Sequence, residues 1–442
     1  MRNTPAFAGL ALALLSYAFP GLARESPRSH VEDVARAIEQ NYFDEARARR
    51  IAADLRGAAA KGEFDTLTEK RELASALTVK LQPFDRHFRV GWTDAPRAQA
   101  TADSPVMSPT QPQAKHRRGN YGVRRAEVLP GNVGYIDLRG FAPFEFGVAG
   151  QPERQAIEAA LQLLAGTDAL IIDLRDNGGG APQMVGYLSS AFVRKDADIF
   201  NTFHGRDRTM SEAPLDWYPQ PRLDTPLFVL TSARTASAAE AFAYTLQSAK
   251  RATVVGEASM GAANPGGDVD AGRGFSVFVS FATPINPITK TNWEGRGVTP
   301  DVVAEPAAAL VTARRLALEA ALGKGLPPES AIDTRWALDA LRAEAGASPP
   351  VPADDYAGTY GMMTVGTAQD RLVLQQGRRP VRTLLPLGND SFAVLENPSQ
   401  RVVFQRNANG RVEALEVRHS DGDVQRHRRG HSLQSAGTTS KR

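Results

Sequence analysis

The sequence predicts an α/β core preceded by a helical domain and followed by a small antiparallel β domain. Three observations predict it. From Gly131 to about Glu305 short β-rich runs alternate with helical patterns, and the runs Leu170-Ile171-Ile172 and Phe228-Val229-Leu230 are apolar on both faces, as strands covered by helices are. From Val31 to Leu81 apolar residues recur at helical spacing, for example Val31, Val34, Ala35 and Ile38, with almost no glycine or proline. From Tyr356 to Arg428 the pattern switches to short alternating strands, with Asn409-Gly410 and Asp421-Gly422 as hairpin turns.

Taken in chain order, the first element is a candidate signal peptide over residues 1–23. Arg2 precedes an apolar stretch from Ala6 to Phe19, and Gly21-Leu22-Ala23 offers small residues for cleavage after Ala23. That stretch is shorter than the roughly 20 residues of a membrane span, and no later segment could span, so the expected location is periplasmic or secreted. Residues 28–92 form the expected helical domain, and 93–118, rich in Ala, Pro, Gln, Ser and Thr, a linker or mobile loop. The core covers 119–305. Its expected strands are Asn132 to Leu138, Ala169 to Leu174, Leu227 to Thr231 and Ala252 to Val255, and its helices Pro152 to Ala165, Pro182 to Val193 and Ser237 to Ala249. A helical connection over 306–346 ends before Pro349, Pro350 and Pro352, the β domain covers 351–429, and 430–442 reads as a disordered tail.

Composition excludes several chemistries. At 442 residues the chain is long enough for two or three folded units, and 42% hydrophobic and 23% charged residues are ordinary for globular proteins. Net charge is +3, and the basic runs at Lys115 to Arg118 and near the C-terminus lack the base-stacking aromatics of a nucleic-acid surface. The absence of cysteine removes thiol nucleophiles, cysteine-bound zinc, iron–sulfur clusters and disulfides. No cofactor or metal is expected.

Chemistry is concentrated in two segments. Strand Leu227 to Thr231 runs through Ser232-Ala233-Arg234-Thr235-Ala236 into a helix whose first turn holds Ser237, a placement that can project a hydroxyl from the carboxyl edge of a sheet. Ser237-Ala238-Ala239-Glu240 also fits a capping box, and spacing alone leaves both roles open. The second segment, Asp173-Leu174-Arg175-Asp176-Asn177-Gly178-Gly179-Gly180, follows a buried strand; its glycines let backbone N–H groups approach a ligand, which suits an oxyanion site, a flexible turn or, less well without a following Lys-Ser or Lys-Thr, a phosphate. A serine needs a base. Of seven histidines His30, His116, His419, His427 and His431 lie near the termini, in the linker or in the β domain, which leaves His87 and His204. His87 sits among alternating apolar residues that suggest a short strand, and His204 reads as a loop histidine.

Four blocks, in order, resemble the peptidases that include the C-terminal processing proteases, the tricorn core proteases and the interphotoreceptor retinoid-binding protein. They are Asp85-Arg86-His87; Asp173 to Gly180; TSARTASAAEAF from Thr231 with RATVVGE from Arg251; and Glu294-Gly295-Arg296-Gly297-Val298-Thr299-Pro300-Asp301. The resemblance implies a Clp-protease/crotonase-like spiral core. One branch of the family places a lysine 25 positions after the serine, which here is Ala262, and this chain has no PDZ-like insert before the core. The other branch, similar to tricorn, implies Ser237 as nucleophile, His87 as base and Glu294 as the carboxylate that orients the imidazole, with backbone N–H groups of Gly179, or Gly178, and Ala238 holding the oxyanion. Tricorn enzymes have a serine just before the histidine where this chain has Arg86, whose guanidinium could pair with Glu294 instead.

The resemblance implies a serine peptidase acting on peptide or protein substrates; the N-terminal pattern adds that it is exported, and the composition that it has no nucleic-acid partner. Two other readings stay open from sequence: a catalytically idle module binding hydrophobic ligands in the same cleft, and a small-substrate esterase or amidase.

Overall fold

The computed structural model describes residues 26–94, 116–346 and 351–430; the expected signal peptide, most of the expected linker and all of the tail but Gly430 lie outside them. The described residues fall into two compact units, one holding residues up to 94 together with Gly266–Ser280, the other holding the rest.

The smaller unit begins with helices Pro27–Asn41, Glu45–Ala60 and Lys70–Leu81. Ser26 and Ser29 exchange capping hydrogen bonds at the first helix start and Asp44 caps the second, so the backbone donors that a helix end leaves over are met by side chains. The apolar faces, Val31, Ile38, Ile51, Leu55 and Leu77 among them, bury against Phe275, Val277 and Val279. Those three alternate along Phe275–Ser280, the middle strand of a three-stranded antiparallel sheet with Arg89–Trp92 and Gly266–Gly272. The expected boundary at 28–92 is thus corrected: a wall of this unit is a hairpin drawn from within 119–305. Nothing in the sequence marks its partner strand, some 180 positions earlier.

In the larger unit a six-stranded sheet runs in the order Val302–Val303, Thr253–Gly256, Leu227–Thr231, Ala169–Asp173, Val133–Leu138, Val123–Leu129. The first five are mutually parallel, and Val123–Leu129 is antiparallel to its neighbour. Leu170, Ile172, Val229 and Val254 face helices Pro152–Leu163, Pro182–Ser190 and Ala238–Ser248, while Ala169, Ile171, Phe228, Leu230 and Val255 face Pro306–Gly323 and Pro328–Ala345. This two-sided cover is the reason that these strands are apolar throughout. The α/β class is as the sequence predicts.

Strands Ala282–Ile285, Thr202–Gly205 and Thr209–Ser211 form a second small sheet, in which His204 pairs with Thr283 and Thr209. His204 is therefore a strand residue, not the loop histidine expected. From Gly358 to Arg428 eight antiparallel strands follow in order, and Tyr360 bridges Arg429, so that the first and last strands meet. Tyr360, Leu374, Phe392, Phe404 and Leu415 fill their interior. Helix Pro328–Ala345 ties this β domain to the core through Ala340 against Leu385 and Ala393, and through Asp333, which accepts from Ser399 and Ser420. Among the described residues no helix is long and apolar enough to cross a membrane.

Candidate active site

Ser237 stands where strand Leu227–Thr231 gives way to helix Ala238–Ser248, and its backbone is strained. At φ 54° and ψ −121° it occupies a region that L-residues avoid at a cost of about 1–3 kcal/mol. The surroundings hold it there. Thr235 Oγ1 accepts from Ser232 N at 3.0 Å and donates to Leu174 O at 2.8 Å, Ser232 Oγ donates to Arg175 O at 2.5 Å, and Ala236 N donates to Asn177 O at 3.1 Å. Ser237 N itself donates to Glu240 Oε2 at 2.8 Å. A serine forced into this conformation at a strand-to-helix turn has the geometry of a nucleophile elbow, which presents its side chain at the sheet edge.

Glu240 does more than the capping role that its spacing suggests. It is fully buried, and its Oε1 accepts from Ser259 Oγ and Gly261 N, both at 2.6 Å, while Oε2 accepts from Ser237 N and, at 2.9 Å, Ala262 N. Glu294 Oε2 takes the next two amides, Ala263 N at 2.7 Å and Asn264 N at 3.1 Å. Two carboxylates thus hold four consecutive N–H groups, and this loop connects the Ser237 turn to Glu294. The position at which the serine–lysine branch has its lysine, Ala262, is buried in that clasp.

The glycine segment lies directly against the serine. A Cβ on Gly179, at φ 109°, would come within 2.8 Å of Ser237 Cβ, 3.0 Å of Ala236 O and 3.1 Å of Ala238 N, so only glycine permits the approach. Asn177, fully buried, fixes the segment by donating Nδ2 to Leu138 O at 2.9 Å and accepting Gly179 N on Oδ1 at 2.8 Å. Of the expected oxyanion donors, the N–H of Gly179 therefore already has an acceptor within its own turn, whereas a Cβ added to Gly178 would meet no atom within 4 Å, so that residue is not pressed against the serine.

His87 belongs to the smaller unit and is held locally. It lies in a turn before strand Arg89–Trp92 rather than in the short strand expected, because Asp85 closes that turn. Asp85 Oδ1 accepts from His87 N at 2.9 Å and contacts His87 Nδ1 at 3.0 Å, and Phe88 N donates to Asp85 O at 3.1 Å. Asp85 Oδ2 accepts from Tyr42 OH at 3.2 Å and Ser280 Oγ at 2.7 Å. Burial pushes the Asp85 carboxyl up, but the His87 and Ser280 hydrogen bonds and the histidine charge outweigh it, and its pKa lies below the ordinary aspartate value. The His87 ring stacks on Phe278 at 6.2 Å.

The structure therefore brings Ser237, Ala238 and Gly179 together, with Glu294 joined to them through residues 261–264, and it places His87 with Asp85 in the other unit. Sequence reasoning missed the turn that Asp85 closes, the anchoring by Asn177 and the contacts of Glu240 beyond its capping role. For Asp85 the signal was present, since an Asp two residues before a His is an Asx-turn pattern.

Residues 132–304, which include Ser237, the glycine segment and Glu294, match the model of peptidase family S41. The carboxy-terminal-processing protease of Bartonella bacilliformis is 30% identical over 183 residues, covering 40% of this chain and 40% of the relative. The chloroplastic C-terminal processing peptidase of Tetradesmus obliquus is 28% identical over 196 residues, covering 42% and 38%. The chain thus matches about two fifths of the length of these curated relatives. Among solved structures, the photosystem II D1 C-terminal processing protease aligns with a TM-score of 0.41 at 19% identity over 64% of this chain and 94% of its own, and the tricorn protease at 0.41 and 14% over 72% and 37%.

Proposed function

We propose that this chain, whose residues 132–304 belong to peptidase family S41, is a serine peptidase with Ser237 as nucleophile and His87 as general base. The observation that carries this is the strained Ser237 turn, held by a buried carboxylate and pressed against Gly179, since a protein keeps such a conformation where a reacting side chain must be presented. The processing relatives point to peptide or protein chains, cut toward their carboxyl ends, as substrates.

On this reading His87 Nε2 takes the Ser237 hydroxyl proton as Oγ attacks the scissile carbonyl, then gives it to the leaving amine; a water repeats the cycle and releases the acyl group. The tetrahedral oxyanion is received by the backbone N–H of Ala238, which follows the nucleophile, and by a backbone N–H of the glycine turn at Gly178 or Gly179. Glu294 supplies the further carboxylate that favours the protonated base. The lysine of the other branch has no counterpart, because Ala262 stands in its place.

The test is fluorophosphonate labelling of the purified protein beside Ser237→Ala and His87→Ala. The reading expects a single adduct on Ser237 that disappears in the first variant and slows at least about 10³-fold in the second. Well-folded protein that stays unlabelled overturns it. The same reading places the enzyme in the periplasm or outside the cell, and N-terminal sequencing of the accumulated protein should begin at Arg24.

A further inference from the structure

We infer that Asp85 is the residue that positions His87: it fixes the ring tautomer and stabilises the imidazolium formed during the reaction. This rests on the reading of His87 as the base, and it gives the orienting role, which the resemblance assigns to Glu294, to a carboxylate on the histidine's own turn.

Both oxygens of Asp85 are committed. Oδ1 receives the main-chain N–H of His87 and faces its Nδ1, at 2.9 and 3.0 Å, while Oδ2 is taken by two hydroxyls from distant segments, Tyr42 and Ser280. The carboxylate plane is therefore fixed from three directions, and the residue is only 5% exposed. A carboxylate accepts and cannot donate, so the neutral ring that faces it carries its hydrogen on Nδ1 and leaves the Nε2 lone pair to take a proton. Phe278, stacked at 6.2 Å and 20°, limits rotation of the ring about that bond.

The chemistry follows. When Nε2 accepts the serine proton, the ring becomes a cation with a buried negative charge 3.0 Å from Nδ1, and Asp85 remains unprotonated throughout. Glu294 Oε2 accepts from the amides of Ala263 and Asn264, an anchorage outside the histidine's own turn. The replacement of the tricorn serine by Arg86 then matters less, because the orientation of His87 does not run through that position.

The decisive variant is Asp85→Asn. It keeps the shape of the side chain, but its amide can donate to Nδ1 and so favours the Nε2–H tautomer, which cannot act as base. The expected result is a fall in labelling of Ser237 and in kcat on a peptide substrate of about 10³ to 10⁴-fold, with KM changed less than about threefold. Nitrogen-15 spectra of the histidine rings, with His87 assigned through His87→Ala, should show Nδ1–H in the parent and in Glu294→Gln, and Nε2–H in Asp85→Asn. A parent whose neutral His87 carries Nε2–H overturns the inference, and this measurement holds whether or not the Asn variant folds. So does folded Asp85→Asn with parental tautomer and labelling, or a tautomer switch in Glu294→Gln alone. Failure of the base reading looks different: His87→Ala then labels as fast as the parent.

Discussion

Asp85 and Glu212 are both buried carboxylates, yet one is stabilised as the anion and the other as the acid. Asp85 has donors on both oxygens and lies below its ordinary pKa. Glu212, buried just past strand Thr209–Ser211, accepts from Asn201 Nδ2 at 2.7 Å, and its Oε1 has no partner among the described residues. Burial pushes its pKa up to about 8, against the smaller opposing effect of Asn201. Asn201 in turn bonds Thr245 on the helix that starts after Ser237, and Asn286. Depth alone does not set charge here. The count of donors does, and the well-supplied carboxylate is the one beside the candidate base.

That contrast can be attacked at several points. Glu240 has four donors like Asp85, so Glu240→Ala leaves buried N–H groups unpaired and should cost about 3–5 kcal/mol in denaturant unfolding, with labelling of Ser237 lost in parallel. A cost under about 1 kcal/mol would show that the donors find other acceptors. For Glu212 the sign is opposite. A raised pKa means that the folded state keeps a proton which the unfolded chain releases, so its contribution is complete below about pH 4.5 and drains away as pH rises to about 8. Glu212→Gln cannot titrate; its stability relative to the parent should therefore improve by about 1 kcal/mol per pH unit across that window, read from melting curves. A flat difference would mean that Glu212 is charged in the folded protein. The smallest effect concerns Tyr42→Phe, which removes one donor from Asp85 Oδ2. It should cost about 1 kcal/mol at neutral pH, and because the lost donor had favoured the anion, acid unfolding should begin at higher pH than in the parent.

Much of the fold was legible because local pattern and tertiary environment agree. Leu170-Ile171-Ile172 is apolar on both faces and is buried on both, and the Ser237 junction falls within a residue of its expected position. What stayed hidden depends on contacts that sequence does not order. The hairpin of residues 266–280 looks like any core hairpin until its partners are known; His87 reads as strand by alternation, whereas Asp85 folds it into a turn; the positive φ of Ser237 has no sequence mark, since serine does not announce it as glycine would. Of the site, Gly179 lies against Ser237 and Ala238, but the acceptor already on Gly179 N was invisible, because it belongs to a side-chain rotamer of Asn177.

The borrowed hairpin has a consequence for the order in which the protein can be made. Three helices and one strand emerge early from a ribosome, but the apolar wall formed by Phe275, Val277 and Val279 is absent until about 185 further residues have been polymerised, roughly 9–37 s of synthesis at 5–20 residues per second. During that interval Val31, Ile38 and Leu77 have no native cover, and the early segment depends on chaperones or on staying unfolded. A fragment ending at Asp94 would inherit the same exposure permanently, so the N-terminal helices are not a separable module even though they come first.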